Sequence, residues 1–437
     1  MTSSLFRIDR ERLRQPGRLL AGLLSCALLV ACAAKPPVIA EAPKEPPVKR
    51  GWLDQGTLPT VLRLPNYPAT AAQTRTTSAT IYLGNLDARI NHLEKTYAAQ
   101  PRPEVANALA LSLGHRARIV GKRADMERAG QVLQEQLTSS PDDPQLLLTH
   151  ARWLSQLHRF NQALASLERI PADNPGLEAP VAELRAEIDL ALGRYQSLDD
   201  TFWHPEQPGR ADLYELAARA NAAIMQGKLD LASRLYFDAQ SHYRDVGPFP
   251  LAWLHVQQGI ALLRFGHYAE AAKFFEAARE RIPQFYLATE HLAECLTELG
   301  EYDHARALYL EVIEQTANPE FMAALAGLES AAGDLAAAQR WQGRADKGYE
   351  SLLRDHPAAY TQHAAEYFLE TGRIERALTL ASANLALRQD LGSRLLYAEA
   401  VNQHGDAGAA CEQLRLAGET GLNPPELQSL RSQISCP

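Results

Sequence analysis

The stretch AWLHVQQGIALLRFGHYAEAAKFFEAARERIP, residues 252–283, decides the fold of this chain. It places the small residue Gly259 seven positions before Gly266 and Ala271 five positions after it. Small residues let two antiparallel helices approach closely, and a glycine in the turn between them tolerates a positive φ. Phe275 on the second helix then fills the gap between neighbouring units. The stretch therefore predicts a helical hairpin that ends at its final proline, where a helix must stop.

The same arrangement recurs along the chain. A small residue lies seven positions before each of seven turn glycines, and alanine lies five positions after six of them. His158 and Ala124 take the turn position in two further copies upstream, so we predict nine helical pairs over roughly residues 103–422. A spacing of roughly 34 residues is the period of a helix–turn–helix unit stacked on copies of itself. Four of the six intervals between the turn glycines match this period closely, and these glycines are Gly193, Gly227, Gly266, Gly300, Gly333, Gly372 and Gly405.

This pattern resembles the tetratricopeptide repeat (TPR). The resemblance implies an all-α fold, a right-handed α-solenoid of about nine TPR-like hairpins, in which the first helix of each pair lines the concave surface. Two intervals, Gly227 to Gly266 and Gly333 to Gly372, are longer than the family length. We expect a longer loop at DVGPFP (Asp245–Pro250) in the first of them and a lengthened second helix at ADKGYESLLRDHP (Ala345–Pro357) in the other.

Residues 1–31 resemble a bacterial lipoprotein signal peptide. Five arginines precede the apolar run Leu19–Ala31, which ends at Cys32. The run is too short to span a bilayer, which takes about 20 apolar residues. The resemblance implies that Cys32 is acylated and that lipid chains anchor the mature protein; the alternatives are an ordinary secretory signal or Cys26 as the acceptor. Ala33 follows the cysteine, and by the sorting rule of enteric bacteria this favours the outer membrane, facing the periplasm.

The remaining segments have distinct compositions. Residues 32–80 form a Pro/Thr-rich linker that we expect to act as a spacer. We predict that residues 81–102 form an amphipathic helix that caps the first repeat. We predict further that residues 103–422 form the solenoid and that residues 423–437 form a C-terminal tail. Cys411 and Cys436 flank the last helical region. A disulfide between them is possible, but the sequence does not show whether their geometry allows it. The formal net charge of −8 argues against nucleic acid as a partner.

The predicted inner surface is rich in carboxylates towards the C-terminus. One interpretation is a docking surface for a basic segment of a protein partner, and the other is ordinary solvated helix polarity. The pairs His291–Glu294 and His363–Glu366 lie two repeats apart, so no metal site is predicted. The candidate groove residues are Glu290, His291, Glu294, Glu298, His363, Glu366, Glu370 and Glu399, with Tyr214 and Trp253 nearer the N-terminus.

Three classes of function are weighed against these residues. The sequence favours a lipid-anchored periplasmic scaffold that mediates protein–protein interactions in cell-envelope or secretion/pilus assembly, as a monomer or a homo-oligomer. A glycan-associated scaffold in exopolysaccharide export is the alternative, and only Tyr214 and Trp253 supply groove aromatics for it. An enzyme is the weakest class, because no phosphate loop, GxSxG, HExxH or CxxC is present. No cofactor is expected.

Overall fold

The computed structural model describes residues 58–64, 67–207 and 212–436 of the 437-residue chain. The expected signal peptide (1–31), the acylation site Cys32 and the first part of the linker lie outside these residues. Within the described ranges, no helix is both long and apolar enough to cross a membrane.

The described residues form twenty α-helices and no strand. Consecutive helices from α2 to α19 pair into nine hairpins, which confirms the predicted α-solenoid of TPR-like hairpins. The helices are α1 (Ala79–Ala99), α2 (Pro103–Val120), α3 (Arg123–Ser139), α4 (Pro144–Gln156), α5 (Phe160–Glu168), α6 (Glu178–Leu192), α7 (Asp200–Trp203), α8 (Leu213–Met225), α9 (Leu229–Ser241), α10 (Pro248–Arg264), α11 (Tyr268–Arg281), α12 (Tyr286–Glu298), α13 (Tyr302–Thr316), α14 (Pro319–Ala331), α15 (Leu335–Asp355), α16 (Pro357–Glu370), α17 (Ile374–Leu387), α18 (Leu391–His404), α19 (Ala407–Glu419) and α20 (Pro425–Gln433).

The turn register is confirmed with one exception. All seven turn glycines have positive φ, and His158 takes the same left-handed conformation with φ 55°. The prediction for Ala124 is wrong, because this residue lies inside α3. The turn falls instead at Gly121, with φ 67°. A glycine three positions earlier adopts the left-handed backbone without the steric cost that alanine would carry.

The lengthened second helix is as expected, but the loop expected at Asp245–Pro250 lies earlier in the chain, because α10 begins at Pro248. The loop between α9 and α10 runs from residue 242 to 247, and α15 extends over 21 residues. The third hairpin departs from the others, since its second arm is only a 3₁₀ turn (Tyr195–Ser197) followed by the four-residue α7. Pro205 follows α7 closely and cannot continue a helix.

The hairpins curve into a superhelix whose successive turns touch. In three hydrogen bonds between these turns, the bonded residues are 195 to 198 positions apart, so one superhelical turn takes roughly six hairpins. The first hairpin thus packs on the sixth, and the third meets the junction of the eighth and ninth. The contacts are Gln315 Nε2 to Val120 O (3.0 Å), Gln389 N to Leu192 O (3.2 Å) and Asn423 N to Met225 O (3.0 Å).

Both ends of the described chain lie against the solenoid. Near the N-terminus, the Arg281 guanidinium donates to the carbonyl oxygens of Ala69 (2.8 Å) and Thr74 (2.9 Å), so this part of the expected linker is docked. At the C-terminus, the segment expected as a tail contains α20, and a disulfide joins Cys411 to Cys436. The expected capping helix spans Ala79–Ala99.

Candidate binding cavity on the inner face

A cavity of about 340 Å³ lies on the inner side of the superhelix. Helices α2, α3 and α4 form one wall, and the first helices of the fifth to eighth hairpins (α10, α12, α14 and α16) form the wall opposite. The two walls come from chain segments that are far apart in sequence. They meet only because the superhelix brings its first hairpin back onto its sixth.

The two walls carry different charge. The α2–α3 wall presents Arg118, Lys122 and Arg123, with Glu127 beside Arg123 at 3.4 Å, whereas the residues that line the opposite wall include Glu290 and Glu320 but no arginine or lysine. Arg118 also lies over the ring of Phe249, with its guanidinium carbon 5.4 Å from the ring centroid. Because a low-dielectric surrounding strengthens interactions between charges, a bound cation would be drawn to the glutamate wall and repelled from the arginine wall.

His291 holds two carboxylates together on α12. Its Nδ1 lies 2.7 Å from Glu290 Oε2 and 3.2 Å from Glu294 Oε2, and all three side chains are buried. Burial by itself lowers the pKa of His291, but the charges and hydrogen bonds of Glu290 and Glu294 outweigh burial and raise that pKa to about 10. The cluster thus places two carboxyl side chains against one imidazole in a buried position.

The same three residues have the composition of a metal site. Their ligand atoms lie within 4.8 Å of one another. However, three ligand atoms are fewer than the four of a closed structural zinc site, and His291 Nδ1 lies at ion-pair distance from both carboxylates, 2.7 Å from Glu290 and 3.2 Å from Glu294. We therefore interpret Glu290, His291 and Glu294 as an ion network. The second predicted pair does not join it, because His363 Nδ1 lies 3.7 Å from Glu320 and 3.9 Å from Glu366.

The raised pKa of His291 makes part of the stability depend on pH. An unfolded histidine has a pKa of about 6.5, so this stabilisation is fully present below pH 6.5 and is lost as pH rises towards 10. We expect the stability difference between wild type and His291→Gln in urea unfolding to shrink steadily from pH 6.5 to 10.

His255 provides the control for that measurement. Burial, with a smaller contribution from Arg281, lowers the pKa of His255 to about 3, so its contribution is lost only as pH falls below 6.5. The stability difference for His255→Gln should stay constant from pH 7 to 10. A flat difference for His291→Gln over the same range would contradict the ion network.

The structure divides the predicted groove residues into two groups. Glu290, His291, His363 and Trp253 line the cavity, and Glu294 and Glu366 contact them from the same helices. Glu298 and Glu370 are half-buried and Glu399 is buried, but none of the three lines the cavity. Tyr214 is 53% exposed, and its ring lies 5.6 Å from that of Trp253. The burial of four of these carboxylates (Glu290, Glu294, Glu366 and Glu399) argues against ordinary solvated helix polarity.

Several cavity residues were missed by the sequence analysis. Arg118 and Arg123 belong to a hairpin that has no turn glycine at the repeat position, and Glu320 stands in the first turn of α14, ahead of the positions considered. Burial raises the pKa of Tyr286, and the negative charge of Glu320 adds to that shift. The sequence indicated which face of each first helix points inward. It did not indicate which hairpins face each other across the cavity.

Comparison with known proteins agrees with this architecture. A family model described as tetratricopeptide repeat matches residues 122–188 and 262–328. In these two ranges, the hairpins match the tetratricopeptide repeat. No curated protein matches the chain. The matched ranges include α3 and α12, so both cavity walls draw on segments that the TPR family model recognises.

Solved TPR-like structures are similar to this chain at low sequence identity. Yeast Tom70 is 11% identical over 81% of this chain and 92% of its own, with a TM-score of 0.31. YrrB, described as a TPR protein with an unusual peptide-binding site, is 15% identical over 54% and 97%, with a TM-score of 0.28. The human IFIT1 dimer with PPP-AAAA is 14% identical over 77% and 78%, with a TM-score of 0.35.

Proposed function

We propose that this protein is a lipid-anchored periplasmic scaffold whose inner cavity binds a basic segment of a protein partner in cell-envelope or secretion/pilus assembly. The observation that carries the proposal is the cluster of Glu290, His291 and Glu294, a buried group of two carboxyl side chains and one imidazole in and beside the wall of the cavity. TPR solenoids are protein-interaction scaffolds, and the signal-like sequence ending at Cys32 supports the anchor and the compartment.

A lysine or arginine side chain suits this cavity in both size and charge. Charges attract more strongly where water is excluded, so an incoming ammonium or guanidinium group gains more beside these buried carboxylates than at an exposed one. Glu290 and Glu320 would accept charge-assisted hydrogen bonds from that group. Arg118 on the facing wall would repel the same group and so set the direction in which the segment enters.

Peptide binding tests the proposal. We expect a fluorescent Lys/Arg-rich peptide to bind the full-length protein, with an affinity that falls as salt is raised, and a Glu-rich peptide of equal length not to bind. The double variant Glu290→Gln/Glu320→Gln should weaken binding by about tenfold or more, because hydrogen bonds to charged groups contribute about 1.5–3 kcal/mol each. Fluorescence anisotropy measures each affinity.

The matched control is Glu412→Gln, an exposed carboxylate on α19 that pairs with Arg415. This variant should bind the basic peptide as wild type does. Equal affinity for the two peptides, or an unchanged affinity in the Glu290/Glu320 variant, would rule out the cavity as the docking site. Membrane fractionation of Cys32→Ala tests the anchor separately, since loss of the lipid should release the protein from the membrane.

The glycan alternative has one observation in its favour. The Tyr214 ring is 53% exposed and stands at 43° to the ring of Trp253, which lines the cavity but is only 7% exposed, so Tyr214 offers one aromatic face to a sugar. Glycan binding at this pair would be lost in Tyr214→Ala and would barely respond to salt. Binding of the basic peptide would show the opposite pattern in both respects.

A further inference from the structure

Residues 420–436, which we name the C-terminal strap, fold back from the ninth hairpin across the preceding superhelical turn. The backbone N–H of Asn423 donates to the carbonyl of Met225 at the end of α8 (3.0 Å). The Arg264 guanidinium, at the end of α10, donates to both carboxylate oxygens of Glu426 at 2.6 and 2.9 Å. The strap therefore attaches the last hairpin to the fourth and fifth.

The paired side chains of this attachment are buried. Arg264 is 6% and Glu426 9% exposed, so the ion pair lies in an environment where the loss of either partner is costly. The backbone of the strap also lies very close to the turn of the fourth hairpin. A Cβ atom added to Gly227 in that turn would lie 2.6 Å from the carbonyl oxygen of Asn423. The fourth hairpin thus presents bare backbone where the strap crosses it.

The other end of the strap is held covalently. The Cys411–Cys436 disulfide ties it to α19 with a Cα–Cα separation of 5.5 Å, and Leu427 and Leu430 are buried between the two attachments. Cys436 is exposed and therefore accessible to a thiol. The peptide chain already fixes the start of the strap to α19, so the disulfide closes the strap into a loop and limits how far Glu426 can move from Arg264 when the ion pair breaks.

We propose that the C-terminal strap is a redox-sensitive latch that closes the superhelix and that opens when a dithiol reduces the Cys411–Cys436 disulfide. A thiolate of the dithiol attacks Cys436 Sγ and displaces Cys411 as a thiolate, which takes up a proton. The second thiol of the reductant, as its thiolate, then attacks the mixed disulfide and releases Cys436, which is protonated in turn, so two electrons pass to the protein and the dithiol becomes a disulfide. The strap then keeps only its non-covalent attachments, and opening uncovers Arg264 on the inner face. This inference does not depend on what the cavity binds.

Hydrogen exchange of the full-length protein with and without dithiothreitol tests the latch. Reduction should speed amide exchange in residues 421–434 and also in residues 222–228 and 258–264 by about tenfold or more, since local opening exposes both contacting surfaces. Glu426→Gln should enlarge the effect of the reductant, Cys436→Ser should reproduce it without reductant, and Glu412→Gln should behave as wild type. Reoxidation should restore slow exchange.

Two results would overturn the proposal. If exchange rises only within the strap while residues 222–228 and 258–264 stay protected, the disulfide is a local staple and the superhelix does not open. If exchange rises throughout the solenoid, including α4, reduction unfolds the protein and no latch exists. Reduction of the wild-type protein decides between these results even where the Cys436→Ser protein does not fold.

Discussion

Replacing Arg264 by methionine is expected to destabilise the protein by about 3–5 kcal/mol, because the substitution leaves the carboxylate of Glu426 buried without its guanidinium. The two side chains are 162 positions apart in sequence and join α10 to α20. A change in the midpoint of urea unfolding, followed by circular dichroism, measures this loss. Breaking a buried ion pair costs more than the pair contributes, because the remaining charge has been desolvated.

Two further variants make the result specific to the buried pair. Arg128 forms the same bidentate geometry with Glu94, at 3.0 and 2.9 Å, but both side chains are about one-third exposed. Arg128→Met should therefore cost only about 1 kcal/mol or less. The double variant Arg264→Met/Glu426→Leu should recover most of the stability, since it removes both buried charges. A loss in Arg264→Met no larger than that in Arg128→Met would show that the strap does not cover Arg264 in solution.

Gly193→Ala is expected to destabilise the protein by about 4 kcal/mol, of which backbone strain accounts for about 1–2 kcal/mol and overpacking for the rest. Gly193 has φ 77°. A Cβ atom here would lie 2.5 Å from the carbonyl oxygen of Gln389 and 2.7 Å from the backbone nitrogen of Asp390. Because the obstacle is backbone of the next superhelical turn, it cannot rotate away, and the Gln389–Leu192 hydrogen bond must break.

Gly372 provides the matched control for this substitution. Its φ of 74° is nearly the same, but nothing lies within 4 Å of a Cβ atom placed there. Gly372→Ala should therefore show only the strain of the left-handed backbone. The difference between the two midpoints in thermal unfolding isolates the contact between superhelical turns, and equal losses would mean that these turns do not touch in solution.

The hairpins could be predicted from sequence because their determinants are local. Gly259 packs against the ring of Phe275, on the helix that follows after one turn. The contact requires glycine, because a Cβ atom at Gly259 would lie 2.6 Å from that ring. The spacing of such residues is fixed by the helix period and the turn. The one misplaced turn, at Ala124, followed from extending the register by spacing alone past the point where Gly121 offered an easier left-handed position.

The candidate site was predictable only in part, for a related reason. Glu290, His291 and Glu294 stand on one helix, so their common inward direction follows from the repeat. That His291 is protonated between two buried carboxylates does not follow, because its pKa depends on burial by other hairpins. The sequence could not show that Arg118 and Glu320 line the same cavity, because no local spacing relates residues on opposite sides of a superhelical turn.

The sequence by itself determined the nine hairpins, eight of their nine turns and the inward face of each first helix, because each depends on contacts within one repeat or between neighbours. The tertiary structure alone decided the offset of 195 to 198 positions between touching turns, and with it the cavity and the closure by the C-terminal strap. That offset is set by the sum of the small rotations between successive hairpins. Slight differences in these rotations therefore accumulate over the roughly six hairpins of one superhelical turn. The contacts that then form, such as Arg264 with Glu426, stabilise one pitch among many that the repeats would allow.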